Sequence, residues 1–326
     1  RSGTLYLRSN GGLEFEQGAT LLAGDDSDTW NAPDFCPQNR CSEAEKNNGR
    51  HLIVALNCEN ISIRGGRIDG NSSYWLNEKN PENPFFLLKP RNGQMLFFCE
   101  CRGIRIQDCE LSNASYWHCF LHGCEDAILS GLFIHGDPRV LCNDGIDIDC
   151  CSRVTVSNCL INTGDDALTL RGNSKALGGE RRVCEYVTVS NCVLSGHYAD
   201  GIRLGVGDGI IRHCTFSNLL IHSSIVGIEL TSSYNGEAGV DMEGIVFDQI
   251  RMNVERPFLI MLIAQHCKKP VSPVIRDIDF SRIRGRAELS SYIRGNGLGR
   301  ISDIRFSDVI LDYYGNGTAP YLDADG

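Results

Sequence analysis

The chain has 326 residues, 41 acidic against 31 basic side chains and a formal net charge of −10 at pH 7. That balance excludes nucleic acid as a partner, since phosphates demand a basic footprint, and no apolar run is long enough to cross a membrane. With 35 glycines against 10 prolines, the composition suits strands joined by tight corners: glycine tolerates positive φ, and few prolines interrupt a hydrogen-bonded ladder.

The chain opens in mid-pattern. Gly3-Thr4-Leu5-Tyr6-Leu7 and Gly18-Ala19-Thr20-Leu21-Leu22 already read as strands, so an upstream segment is expected before them. From residue 58 a phrase recurs: Cys58-Glu59-Asn60-Ile61-Ser62-Ile63, Cys101-Arg102-Gly103-Ile104-Arg105-Ile106, Cys124-Glu125-Asp126-Ala127-Ile128-Leu129, Cys151-Ser152-Arg153-Val154-Thr155-Val156 and Cys184-Glu185-Tyr186-Val187-Thr188-Val189. Later copies at Met242, Ile275 and Ile301 keep the alternation and lose the cysteine. From Cys101 to Cys184 the spacing runs from 23 residues (Cys101 to Cys124) to 33 (Cys151 to Cys184), which suits a coil of three short strands.

Apolar and polar residues alternate with period two inside each phrase, the pattern of a strand with one buried and one wet face. One such strand cannot bury its apolar side alone, but stacked coils can. The expected fold is therefore an all-β parallel solenoid, and a continuous repeat makes residues 1–326 one domain where length alone would suggest two.

Other elements fall between the phrases. Residues 74–90, with Tyr74, Trp75, Phe85 and Phe86 among Asn, Glu and Pro, form a loop long enough to wall a groove. Cys109, Cys159, Cys192 and Cys214 read as one ladder of reduced, buried cysteines acting as small hydrophobes. Cys36 and Cys41 stand in an irregular loop where a bridge is possible. No set of Cys and His has zinc-site spacing.

Two acidic strands carry the chemistry: Asn143-Asp144-Gly145-Ile146-Asp147-Ile148-Asp149 and, about one coil later, Gly164-Asp165-Asp166-Ala167-Leu168-Thr169-Leu170. Unpaired buried charge costs several kcal/mol, so adjacent carboxylates in a β-rich segment face water or do chemistry. Asp147 and Asp149, alternating with isoleucines, read as a solvated strand face. Asp144, Asp165 and Asp166 read as a catalytic cluster, in which crowding raises the pKa of at least one carboxyl. No loop shows the ligand alternation of a calcium site, so no metal or cofactor is expected.

From Trp117 to Leu170 the chain resembles the polygalacturonases of glycoside hydrolase family 28. These are right-handed parallel β-helix proteins with Asn-x-Asp-Gly, Gly-Asp-Asp, Gly-His-Gly and Arg-Ile-Lys motifs. Only the first two match closely. The resemblance implies inverting hydrolysis of a polysaccharide or oligosaccharide, with Asp165 as general acid and Asp144 and Asp166 activating water. Acid and base in inverting glycosidases stand roughly 6.5–9.5 Å apart. A secreted or periplasmic setting goes with this reading.

The departures shape the substrate. Cys142 replaces the first asparagine, and a hydrogen bond is expected to go with it. Asp200 stands where the family has histidine, with His197 three residues earlier as a second candidate. Glu229 and Thr231 replace the arginine and lysine, which in the family are associated with the galacturonate carboxylate. A glutamate there would repel a uronate, so a neutral or differently placed sugar is expected at the cleaved position. Arg171, Arg203 and Arg212 are the candidates for another carboxylate site, and Trp117 is a candidate platform for a sugar ring. If residues 74–90 cap one end of the cleft, cleavage proceeds from chain ends. Two alternatives remain: a polysaccharide lyase, which would need a basic Brønsted residue and usually calcium, and a non-catalytic carbohydrate-binding solenoid.

Overall fold

The computed structural model describes residues 1–179, 181–232, 239–262, 272–297 and 299–315. The chain winds as a right-handed parallel β-helix, and every ladder between its strands is parallel. One face is a ten-stranded sheet in which each coil hydrogen-bonds to the next, running from Leu5–Tyr6 through Leu96–Cys99, Cys119–His122, Ile146–Asp149, Leu168–Gly172, Asp200–Gly207 and Val226–Ser232 to Tyr292–Arg294. The remaining faces form a sixteen-stranded sheet. Early coils give it two strands each, such as Arg102–Gln107 and Glu110–Ser112; later coils give one long strand, such as Val274–Ala287. Among the described residues the only α-helix is the four-residue Ser72–Trp75, and no helix is long and apolar enough to cross a membrane.

The recurring phrase supplies the core. In Ser152–Ser157 the side chains of Val154 and Val156 point inward and align with Ala127 and Leu129 on the coil before and Val187 and Val189 on the coil after. Further along, Phe216, Phe247, Phe280 and Phe306 stack with ring centroids 4.8, 5.0 and 4.8 Å apart. The third residue of each phrase turns the corner with positive φ: Asn60, Gly103, Asp126, Arg153, Tyr186, His213, Gly244, Asp277 and Asp303. Glycine fills only two of those nine corners. The left-handed conformation costs a non-glycine residue roughly 1–2 kcal/mol, and the ladders on either side hold it in place.

The cysteines make two ladders. Cys101, Cys124, Cys151 and Cys184 follow one another on successive coils, and the position continues as Ile211, Met242 and Ile275. Cys109, Leu132, Cys159, Cys192 and Leu219 make the second. Cys214 is not part of it: its partner on the next coil is Ile245, so the expected grouping of four fails by one member. All fifteen described cysteines are free thiols, including Cys36 and Cys41, which do not bridge. Burial raises the thiols of Cys124 and Cys184 in the first ladder far above their ordinary pKa and so suppresses the reactive thiolate there. Labelling of the native protein with a thiol reagent, mapped by mass spectrometry, is expected to reach exposed Cys41 first and Cys124, Cys151 and Cys184 only after unfolding.

One outward row of the ten-stranded sheet leads to the site. It reads Val54, Phe97, Phe120, Asp147, Thr169, Arg203, Glu229 on successive coils. Phe35 from the preceding loop, Tyr116 and Trp117 cover its apolar half. Charge begins where that cover stops.

Candidate active site

Asp144 and Asp166 occupy one row on neighbouring coils. Ile146 pairs with Leu168 and Leu168 with Ile202, which places Asp144, Asp166 and Asp200 in succession two residues earlier. Backbone bonds confirm the alignment: Gly145 N–H donates to Asp166 O at 2.9 Å and Ala167 N–H to Asp200 O at 2.9 Å. The glycines of the motifs answer to close approach. A Cβ on Gly145 would lie 2.3 Å from Ala167 O, and one on Gly164 would lie 2.7 Å from Pro138 O. Any larger residue would push the two acidic turns apart.

Asp144, Asp165 and Asp166 each bring an oxygen within 4.8 Å of the others. Their partners differ. Arg171 donates to Asp144 at 3.1 Å and Arg203 to Asp166 at 3.4 Å, whereas Asp165 accepts from the backbone N–H groups of Cys142 at 3.1 Å and Asp166 at 3.0 Å. Burial, with the neighbouring Asp166 charge, lifts Asp165 to about 6. Burial and the charges of Asp147, Asp165 and Asp166 push Asp144 well up, against the pull of Arg171. Three such oxygens could also hold a hard cation, but Arg171 and Arg203 already lie against two of the three carboxylates.

At Cys142 the φ of 54° is the left-handed region that asparagine favours, and its backbone N–H donates to Asp165 at 3.1 Å.

Asp147 and Asp149 do not face solvent. Both are fully buried: Asp147 accepts from Arg171 Nε at 2.7 Å, and Asp149 accepts from Asn173 N and Nδ2 at 2.8 and 2.7 Å. Burial lifts Asp147 to about 7 despite Arg171. At Asp149 burial works in the same direction, but His122 and Arg40 outweigh it and hold the carboxyl below its ordinary value. The repeat carried the signal that would have placed them: aligned by phrase, Asp147 follows Phe97 and Phe120 in a covered row, not an open one.

Trp117 is a pillar, not a platform. Tyr116 stacks on it at 5.1 Å, the Arg171 and Arg40 guanidinium carbons lie 4.4 and 5.5 Å from its centroid, and the residue is 5% exposed, so it offers no open face to a sugar ring. Arg171, buried between Trp117, Asp144 and Asp147, is likewise engaged. Arg212 pairs with Glu185 at 2.7 Å on the sixteen-stranded sheet, away from the cluster. Arg203 lies between Asp166 at 3.4 Å and Glu229 at 3.6 Å.

Asp200 takes the third place in the acidic row and its N–H donates to Asp166 at 3.2 Å. His197 turns instead to Asn162, 2.8 Å away. Burial, then Glu229 and Asp166, push Asp200 well above the carboxylate range. Tyr198, unremarked in the sequence, completes the wall: it follows His197 beside Gly164, and Phe85 of the 74–90 loop packs edge-on against it at 4.7 Å. Phe86 lies under Arg139, 4.5 Å from its guanidinium carbon. Residues 74–90 thus border the acidic floor.

A row of carboxylates on the outer face of a parallel β-helix, steadied by arginines and bordered by an aromatic loop, defines a carbohydrate-active β-helix protein. Residues 33–322 match the glycosyl hydrolases family 28, and the chain belongs to that family. It is 25% identical over 220 residues to polygalacturonase QRT2 of Arabidopsis thaliana, covering 65% of this chain and 46% of that protein. To an exopolygalacturonase of Cochliobolus carbonum it is 22% identical over 268 residues, 68% of this chain and 56% of that one. A hyperthermoactive exopolygalacturonase structure from Thermotoga maritima superposes with a TM-score of 0.77 at 21% identity, covering 95% of this chain and 76% of that chain; this likeness concerns the fold. The chain spans about half the length of the curated relatives it matches.

Proposed function

We propose that the chain hydrolyses glycosidic bonds of a polysaccharide or oligosaccharide with inversion, working from chain ends. One observation carries this reading. Of three clustered carboxylates Asp165 alone lies against no arginine: backbone amides hold it and its pKa is near 6, whereas at Asp144 the Arg171 guanidinium opposes the burial and neighbouring charges that push that carboxyl up. Asp165 then protonates the glycosidic oxygen while Asp144 and Asp166 orient and deprotonate a water. A carboxyl with a pKa near the working pH is the effective proton donor.

The cluster is tighter than the roughly 6.5–9.5 Å expected of inverting pairs, since its oxygens lie within 4.8 Å. Stereochemistry therefore tests the reading directly. Proton NMR of the first-formed reducing sugar is expected to show the anomer opposite to that of the bond cut; the same anomer would mean a covalent intermediate and overturn inversion.

Action from chain ends is supported by the packing of Phe35, Tyr116 and Trp117 over Phe97 and Phe120, which covers the coils before the acidic floor. Mass spectrometry of digests of pectic, galactan and glucan oligosaccharides is expected to show one small product from the start. A ladder of mid-sized fragments would point to internal cleavage. Family members are generally secreted, and a secreted or periplasmic setting for this chain belongs to the same reading.

A further inference from the structure

The acidic row extends past the cluster into residues the hydrolytic step does not use. Asp200 is 4% exposed and Glu229 9% exposed. They stand on adjacent coils, Arg203 lies 3.6 Å from Glu229, and burial with the nearby Glu229 charge pushes Asp200 well above the carboxylate range. Asp200 Oδ2 is buried with no hydrogen-bond partner. A buried polar atom left unpaired costs roughly 1–3 kcal/mol, so an oxygen in this state marks a place for a donor.

We propose that Asp200 and Glu229 form the recognition site for the sugar beside the cleaved bond, and that this sugar is uncharged, presenting hydroxyl or hydroxymethyl groups where a uronide would present its carboxylate. The proposal rests on the hydrolase reading above. Asp200, whose charged form burial disfavours, keeps its proton and beside Glu229 offers both donor and acceptor, the complement of a hydroxyl, which is itself both. A carboxylate ligand offers acceptors only and brings a second negative charge against buried carboxyls, so it meets repulsion as well as unmet donors. Arg203 does not reverse this: it lies between Asp166 and Glu229, within 3.6 Å of each, and its charge is shared with both. Thr231, where the family has lysine, adds a hydroxyl and no charge.

Two probes differing only in the disputed group test the assignment: trigalacturonate and the α-1,4-linked trigalactoside obtained by reducing its carboxyls. Their affinities are measured by calorimetry on Asp165→Asn, which preserves the floor and blocks turnover. The trigalactoside is expected to bind at least about tenfold more tightly. Adding Asp200→Asn and Glu229→Gln is expected to shrink that preference about tenfold, chiefly by improving trigalacturonate. Equal or tighter binding of trigalacturonate to Asp165→Asn overturns the proposal, whatever the further variants do. Turnover by the wild type is scored separately. Hydrolysis of neither probe, with the binding preference as expected, supports recognition of an uncharged sugar by Asp200 and Glu229 and counts against cleavage of α-1,4-galactosidic bonds; hydrolysis of trigalacturonate in preference to the trigalactoside removes the recognition site and leaves the hydrolase reading standing.

Discussion

Replacing Asp165 by asparagine is expected to lower kcat by about 10²–10⁴-fold, the usual contribution of a general acid, while oligosaccharide affinity is kept. Asparagine is nearly the same size and its amide oxygen can still accept from the N–H groups of Cys142 and Asp166, now at 3.1 and 3.0 Å. Only the transferable proton is lost. The wild type has a matching pH profile. Asp165 titrates at about 6, and the acid must carry its proton to act, so kcat is expected to fall as pH rises through that value. In Asp165→Asn the fall should vanish from what activity is left. Activity unchanged by the substitution would move the acid to another residue. Absence of turnover in both proteins, with binding kept in both, would make the chain a carbohydrate-binding solenoid.

The coils were legible because the repeat reports a two-residue burial alternation directly, and the structure stacks those phrases in the register their alignment predicts. The acidic cluster was legible for a related reason. Asp-Gly and Gly-Asp-Asp turns one coil apart need small residues where coils approach closely, and Gly145 and Gly164 meet that need. What escaped depends on what lies over a strand, not on the strand itself. Asp147 alternates with isoleucine just as a solvated residue would; Trp117 and Arg171 settle its burial from outside the motif. Trp117 escaped likewise, since nothing local shows that Tyr116 and Arg171 lie against it. His197 and Asp200 were separable only by register, which sets Asp200 beside Asp166 and leaves His197 on the corner facing Asn162. Cys214 was misplaced because strands of that coil merge into the single strand Ile210–His222, and the corner that marks the cysteine position in earlier coils is no longer a break.

Replacing Arg171 by methionine is expected to destabilise the protein by about 3–5 kcal/mol, the cost of breaking a buried ion pair from one side. Its guanidinium is the partner of both Asp144, at 3.1 Å, and Asp147, at 2.7 Å, and neither carboxylate can reach bulk water. Methionine preserves much of the packing on Trp117, so the loss isolates the charge. The sign of the pH dependence follows from the carboxyls. Asp147 already has a folded pKa raised to about 7 by burial, above the roughly 3.9 of an unfolded aspartate. Such a group destabilises the folded state when ionised, and the penalty grows as pH rises from about 4 through 7. Without Arg171 the folded pKa rises further, so the deficit in urea unfolding should be largest at pH 8 and shrink towards pH 4.5. Asp147→Asn in the Arg171→Met background removes one stranded charge and is expected to recover part of the stability at pH 8 and little at pH 4.5. A deficit independent of pH, or no recovery in the double variant, would assign Arg171 to packing on Trp117. The proposed role of Arg171 as the counter-charge to Asp144 and Asp147 would then be lost.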